Sequence, residues 1–364
     1  MSSGIVNMQD LLLLMVEKNA SDLHITTGLP PMLRVDGELI PTQYEKMTSD
    51  ISQRLIYSLL TDTQKEKFEA NNELDLSFGI KGVGRVRMNV YRQRGSIGAA
   101  FRSISNKIPN FEELGLPPIA YEVMKIPKGL ILVTGPTGSG KSTTLASMID
   151  FLNEHNQSHI LTIEDPIEYI HLHKKSVVNQ REVGTDTNSF PLALKYVLRQ
   201  DPDIILVGEM RDLETIQAAI TIAETGHLVF ATLHTTDAAS SINRMVDVFP
   251  PHQQAQVRSQ LSFTLQAVFS QILIPHASGT GRCLGCEVLI VTPGIRNLIR
   301  DLKTEQIALA MQTGGKFGMQ TMNMCLANLY LKRQITYQEA LMHTSDMEDL
   351  KRLIQKENTS VPKY

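Results

Sequence analysis

Cysteine is scarce. Cys283, Cys286 and Cys325 are the only three in 364 residues, an odd number in a long chain, which argues against a disulfide framework. Cys283 and Cys286 have the C-x-x-C spacing of half a zinc site or a redox pair. A structural zinc needs a full tetrahedral ligand set, however, and His276 and the distant Cys325 are the nearest other candidates; ordinary reduced cysteines are expected. Long apolar runs are missing as well. Leu11 to Val16 and Leu130 to Val133 are among the longest, far short of the roughly 20 residues that cross a bilayer. The first leucine run follows Asp10 and has no basic leader, unlike a signal peptide. A cytoplasmic protein without a transmembrane segment is expected. An excess of one charge is also absent: 35 Lys and Arg against 38 Asp and Glu leave a formal charge of -3, which gives no general attraction to nucleic acid or anionic lipid. No internal repeat or low-complexity tract interrupts the chain. The 42% hydrophobic fraction then fits a soluble globular protein of about two domains, each with its own core.

The first hundred or so residues read as a small mixed domain. A helix is expected over Met8 to Lys18, a strand over Asp22 to Thr26, and a hairpin over Met32 to Ile40 turning at Asp36-Gly37. Helical patterns cover Ser49 to Leu60 and Asp62 to Glu69, and strands follow at Leu74 to Ile80, Arg85 to Tyr91 and Ile97 to Ile104. Period-2 alternation puts Val86, Met88 and Val90 on one face and Arg85, Arg87 and Asn89 on the other. Pro109, Pro117, Pro118 and Pro127 mark residues 106–127 as an interdomain linker, with one short helix at Ile119 to Met124. Beyond it, short continuous apolar runs at Leu130 to Thr134, Ile160 to Ile163, Ile204 to Val207 and Leu228 to Thr232 are separated mostly by helical stretches, the pattern of a largely parallel sheet buried on both faces. From Pro293 the chain is mostly helical, through Ile295 to Asp301, Thr304 to Thr313, Met319 to Lys332 and Thr336 to His343.

Gly135, Pro136, Thr137, Gly138, Ser139, Gly140, Lys141 and Ser142, with Thr143 next, match G-x-x-x-x-G-K-[ST] between an expected strand and a helix at Ser142 to Leu152. Glycines let backbone N–H groups wrap phosphates, Lys141 reaches the outer phosphates, and Ser142 offers a hydroxyl to Mg²⁺. ATP and Mg²⁺ are therefore the expected substrate and cofactor. Glu164 and Glu209 follow two of the other strands, where the C-terminal edge of an open parallel sheet lines its ligand crevice. Metal support and activation of water need such carboxylates; solvated loop acids are the bland alternative. His234 falls at the same edge, able to contact phosphate, whereas His227 before that strand reads equally as a packing or capping residue.

These elements, in this order and spacing, closely resemble the secretion superfamily ATPases, and within them the type IV pilus retraction ATPases, over nearly the whole chain. Gly135 to Ser142 resembles the Walker A motif. Leu161 through Tyr169 resembles the Asp box, which implies Glu164 as general base. Leu198 through Asp212 resembles the Walker B region, which implies Glu209 as support for magnesium, directly or through water. Thr225 through Thr235 resembles the His box, with His227 and His234. The resemblance further implies arginines that reach a nucleotide in a homohexamer; Arg85 and Arg102 match that region, a solvated face being the alternative. It implies an α/β protein: a PAS-like α+β domain over 1–105, the linker over 106–127, a RecA-like P-loop ATPase core over 128–292 and a helical C-terminal region over 293–364.

Assembly ATPases of the superfamily carry a larger N-terminal region and a four-cysteine zinc insertion, and neither is found here. Gly294-Ile295-Arg296-Asn297-Leu298-Ile299-Arg300-Asp301 resembles instead a retraction-associated motif, with Gly for its first Ala and Asp for its last Glu. Arg296 and Arg300 keep their place on one helix face, and a helix that only packs the motor core is the alternative. Gly318 to Met322 is a further family-like segment. The function implied is ATP hydrolysis in a homohexameric motor that drives pilus retraction and twitching motility, attached peripherally at the inner membrane through a pilus platform protein and accompanied by a paralogous retraction ATPase. An accessory nucleotide-binding paralogue and a hexameric nucleic-acid translocase are the alternatives; the charge balance gives the second no support.

Overall fold

The alternation over residues 85–90 becomes an inner strand of an antiparallel sheet in the computed structural model, which describes residues 6–35, 37–80, 84–104 and 107–360 apart from the side chains of 357–360. Asp36 of the expected hairpin turn, and 105–106 at the expected domain boundary, lie outside the described residues. Strands β1 (Asp22–Ile25), β2 (Met32–Val35), β3 (Glu38–Pro41), β4 (Glu73–Ile80), β5 (Gly84–Gln93) and β6 (Ser96–Ile104) run in the order β3-β2-β1-β6-β5-β4. Val86, Met88 and Val90 are fully buried, while Arg85, Arg87 and Asn89 keep partial exposure on the opposite face. The helices Met8–Glu17, Ser49–Tyr57 and Asp62–Asn71 cover the apolar face, with Leu11, Leu12, Ile56 and Phe68 packing on Leu23 and Phe101. Thr48 and Thr61 start the second and third helices by accepting N–H bonds at their first turns. This is the PAS-like α+β unit.

The second unit is a seven-stranded sheet: β7 (Gly129–Thr134), β8 (His159–Glu164), β9 (Val177–Glu182), β10 (Ile204–Val207), β11 (Leu228–Leu233), β12 (Leu265–Pro275) and β13 (Arg282–Ile290), in the order β13-β12-β7-β11-β10-β8-β9. All neighbours are parallel except the β12-β13 hairpin. The continuous apolar runs have a physical purpose, because alternate residues enter two separate cores. Leu130, Leu132, Ile205 and Val207 face the helices Leu213–Glu224, Ala238–Asp247 and Pro251–Thr264. Ile131, Val133, Ile204 and Leu206 face the helix Lys141–His155. Each fully buried side chain of this size contributes about 1.5–3 kcal/mol, so both layers hold the sheet in place.

Three of these strands, β9, β12 and β13, are absent from the sequence expectation. The linker also differs: Phe111–Leu114 forms an additional short helix, started by the Asn110–Glu113 capping box, before the expected one at Ile119–Val123. Phe111, Leu116, Ala120 and Met124 then join the core beneath the helix Lys141–His155. The C-terminal helices are Pro293–Arg300, Ile307–Thr313 after a 3-10 turn, Met322–Leu331, Tyr337–His343 and the unforeseen Met347–Ser360. The third of these starts three residues later than expected because Gly318 takes φ +80° and Thr321 caps the helix. By contacts the chain divides into a unit through Lys107 that also takes in Glu168–Ile170, and a unit of Ile108–Ile167 and His171 onward.

Candidate nucleotide site

The phosphate loop leaves β7 after Thr134 and enters the helix Lys141–His155. Gly135 has φ +143°, and a Cβ there would lie 2.2 Å from the backbone oxygen of Gln271 on β12, so only glycine fits. Gly138 and Gly140 also take positive φ. Pro136, Thr137 and Gly138 are exposed at the loop's tip, while Ser139 is buried at its base. Gly140 caps the helix without a side-chain bond, which leaves the first N–H groups of that helix to a ligand. Lys141 Nζ donates to the carbonyls of Gly135 at 2.8 Å and Pro136 at 3.0 Å, Ser142 is exposed in the helix's first turn, and Thr143 is half-buried beside it. A concave run of N–H donors with a positive helix end and an ammonium group fits a polyphosphate. Beneath the loop, Thr134 Oγ1 donates to Ser270 Oγ at 2.9 Å and Gln271 Nε2 to Thr144 Oγ1 at 2.8 Å, both buried, tying β12 to the strand and helix that frame it.

Glu164 ends β8, Glu209 stands two residues beyond β10, and His234 follows β11. Backbone bonds lace these ends together, Gly208 N–H to Ile163 O at 2.8 Å and Met210 N–H to Thr232 O at 3.1 Å. Glu209 is half-buried and doubly held: Arg211 donates Nε and a terminal nitrogen to its two oxygens at 2.5 and 2.6 Å, and His234 Nε2 lies 2.9 Å from Oε1. Burial acts to raise the Glu209 pKa, but the Arg211 bond and the charges of His234 and Arg211 outweigh it and keep the carboxyl below its ordinary value. Glu164 Oε1 accepts from Thr162 Oγ1 at 2.7 Å and from Gln180 Nε2 on β9 at 3.0 Å. An exposed hydroxyl at Ser142 and a carboxylate at Glu209 suit Mg²⁺, which takes few protein oxygens and keeps water and phosphate for the rest.

The other candidates have separate settings. His227 Nδ1 lies 3.2 Å from Ile222 O and 3.0 Å from Thr225 Oγ1, which makes it a cap for the helix Leu213–Glu224. Arg85 and Arg102 belong to the first unit. Arg85 donates to Ser77 Oγ at 2.7 Å, and Arg102 Nε donates to Asp22 Oδ1 at 2.8 Å. Arg87 stands directly opposite Arg102 across β5 and β6, and Asp22 stands between Arg102 and Arg34 across β1, so the acid offsets part of the charge of three arginines in one cross-strand row. Cys283 and Cys286 lie on β13 an odd number of residues apart and therefore face opposite sides of the sheet. All three cysteines are free, and burial raises each thiol's pKa. Among the described residues no group of three or more His, Cys, Asp and Glu side chains could hold a metal by itself. In the helix Pro293–Arg300, Ile295 and Ile299 are buried, Arg296 and Leu298 half-buried, and Asn297 and Arg300 exposed.

Sequence reasoning missed Arg211, Thr162 and Gln180. Arg211 had a readable signal, a guanidinium two residues past a functional carboxylate; Gln180 had none, since its strand was not foreseen.

Known proteins extend this geometry. The family model described as type II/IV secretion system protein matches residues 5–361. The type IV pilus retraction ATPase PilT of Pseudomonas aeruginosa is 52% identical over 92% of this chain and 97% of its own length. The type IV pilus ATPase PilU of the same organism is 40% identical over 96% and 91%. A crystal structure of the pilus retraction motor PilT with bound ADP superposes with a TM-score of 0.90 at 50% identity, covering 95% of this chain and 99% of that one. With its PAS-like unit and RecA-like P-loop unit in the same order, the chain belongs to the type II/IV secretion system protein family of ATPases.

Proposed function

We propose that this chain hydrolyses ATP to ADP and phosphate, as a homohexamer, to drive type IV pilus retraction and twitching motility. One observation carries the reading: a complete phosphate loop on β7 stands in one parallel sheet with a carboxylate following β8, another following β10 and a histidine following β11. The 52% identity to a pilus retraction ATPase directs that chemistry to retraction, and the lower 40% identity to PilU favours the retraction motor over an accessory paralogue.

In the proposed reaction Glu164 orients a water molecule for in-line attack on the γ-phosphate and takes its proton. Lys141 and the loop N–H groups hold the phosphates and balance the charge that spreads over the transferred group. Mg²⁺, held by Ser142 and by Glu209 directly or through water, would neutralise phosphate charge when bound. His234 reports the presence of the terminal phosphate. Arg85 and Arg102 add positive charge at a subunit boundary, and release of phosphate frees the N-terminal domain, 1–105, to move relative to the core, 128–292, with which most of the segment 106–127 is packed. The helical region 293–364 passes that motion to the pilus platform protein at the inner membrane, on the cytoplasmic side; no described helix is long and apolar enough to cross a membrane. A paralogous ATPase is a fitting second partner. The test is retraction in a piliated cell lacking its own motor: this chain should restore pilus shortening in step with ATP turnover by the purified protein, and turnover with no shortening would reject the motor role while leaving the enzyme.

A further inference from the structure

Strand β9 carries no recognised motif, yet two of its side chains fasten the loop that follows Glu164. Glu182 Oε2 accepts the Ile167 N–H at 3.1 Å, and Gln180 Oε1 accepts the His171 N–H at 2.8 Å. The second bond also settles the orientation of the Gln180 amide. A backbone N–H can only donate, so it must meet the oxygen, and the amide nitrogen is turned the other way. That nitrogen donates to Glu164 Oε1 at 3.0 Å. The same oxygen receives the hydroxyl of Thr162, a fully buried residue of β8, at 2.7 Å.

Two donors converging on one oxygen occupy its two lone-pair directions and fix the plane of the carboxylate. We propose that Gln180, together with Thr162, is a positioning residue that anchors Glu164 by Oε1, so that Oε2 is the oxygen that takes the proton of the attacking water. This rests on Glu164 being the general base. Both of these bonds come from uncharged donors, an amide and a hydroxyl. Gln180 is suited to this because one side chain grips both the base and the backbone of the loop leading away from it.

The experiment measures steady-state ATP hydrolysis and thermal unfolding of the full chain with Mg²⁺, for Gln180→Met, Gln180→Glu, Thr162→Val and Glu164→Gln. Gln180→Met removes both bonds at similar length. Gln180→Glu keeps an acceptor for the His171 N–H and loses the donor to Glu164. Thr162→Val removes the other donor, adds no charge and touches no loop bond. If Oε1 is the anchored oxygen, all three lower kcat by about ten- to hundredfold, as expected for a reacting group released from its geometry, while the KM for ATP stays within about twofold. Wild-type kcat in Gln180→Met, or its recovery in Gln180→Glu, would overturn the proposal, since Gln180 would then serve only the loop. Should either Gln180 variant unfold, Thr162→Val decides, and wild-type kcat there would likewise overturn it. Glu164→Gln separates the two levels: wild-type turnover removes the base and the anchor together, whereas loss of turnover with active Thr162→Val removes the anchor alone.

Discussion

Arg211 holds Glu209 in a grip that a metal would have to loosen. Both oxygens of the carboxylate are taken by the guanidinium, and His234 shares one of them. If Glu209 supports Mg²⁺, Arg211 competes with the ion, and Arg211→Ala should lower the Mg²⁺ concentration needed for half-maximal hydrolysis. The Arg211 side chain is 75% exposed, so solvent screening limits the pair to the range of surface ion pairs, about 0.2–1 kcal/mol. That corresponds to a fall of about 1.4- to fivefold in the Mg²⁺ requirement. The assay is initial ATP hydrolysis against free Mg²⁺ at saturating ATP for wild type and variant, with Glu209→Gln as the control that should raise the requirement. An unchanged or higher requirement in Arg211→Ala would refute the competition. The acid side gives an independent check. Because Glu209's folded pKa is held down, its pairing stabilises the protein fully above the unfolded carboxylate pKa of about 4.3. That contribution is lost as pH falls through the lower folded value. The difference in unfolding free energy between wild type and Arg211→Ala should therefore shrink on acidification.

Lys141→Ala removes the ammonium that bonds the loop carbonyls and should abolish tight nucleotide binding and turnover, measured by equilibrium binding and phosphate release; near-normal hydrolysis would reject the site. Glu164→Gln should retain ATP binding and lose turnover, and full activity at any Mg²⁺ concentration would reject its role as base. Gly135→Ala drives a methyl group towards the Gln271 carbonyl, which an ideal Cβ would approach to 2.2 Å. It should cost about 1–3 kcal/mol or more, visible as a lower Tm, and an unchanged Tm would show that β12 yields at that point. Arg296→Ala with Arg300→Ala leaves the buried Ile295 and Ile299 intact; it should keep ATP hydrolysis and lose pilus shortening in cells, whereas normal shortening would remove this helix face from force transmission.

The four central strands were legible because each is a short run dominated by Ile, Leu, Val and Phe, broken only by small or threonine residues such as Thr162 and Ala231, a composition that suits a sheet buried on both faces. Strands β9, β12 and β13 fail that test for different reasons. In β9, Val177-Val178-Asn179-Gln180-Arg181-Glu182 alternates imperfectly because it is the sheet's edge, with Val178 and Glu182 buried and Val177 exposed. Strand β12 begins at Leu265, immediately where the helix Pro251–Thr264 ends, so no breaker announces the change. Strand β13 contains Gly285, an unfavourable strand residue in isolation. Its reason appears only across the sheet, where a Cβ would lie 2.8 Å from Ile272 Cγ1. The linker was misjudged in part by its prolines, which mark turns truthfully but do not report that Phe111 and Met124 find an apolar surface to cover.

The site divides along the same line. Glu164, Glu209 and His234 lie within two residues of strand ends, and the phosphate loop carries Lys141 and Ser142 on from the end of β7, so a correct strand assignment delivers them to one sheet edge by topology. Their hydrogen-bond partners do not follow from those motifs. Arg211 is local enough to be inferred, but Gln180 reaches Glu164 across 16 residues and Gln271 reaches Thr144 across 127, distances closed only by the pairing of β8 with β9 and of β7 with β12. These partners carry chemical information that the motifs lack. A glutamate in a motif is identified as an acid or base, but which oxygen is anchored, and whether a carboxylate is already occupied by a cation, depend on donors supplied by neighbouring strands. Glu164 and Glu209 show the difference. An amide from β9 and a hydroxyl from β8 both reach one oxygen of the first, whereas a guanidinium two residues along the chain spans both oxygens of the second, so different side chains hold two carboxylates that stand at one sheet edge.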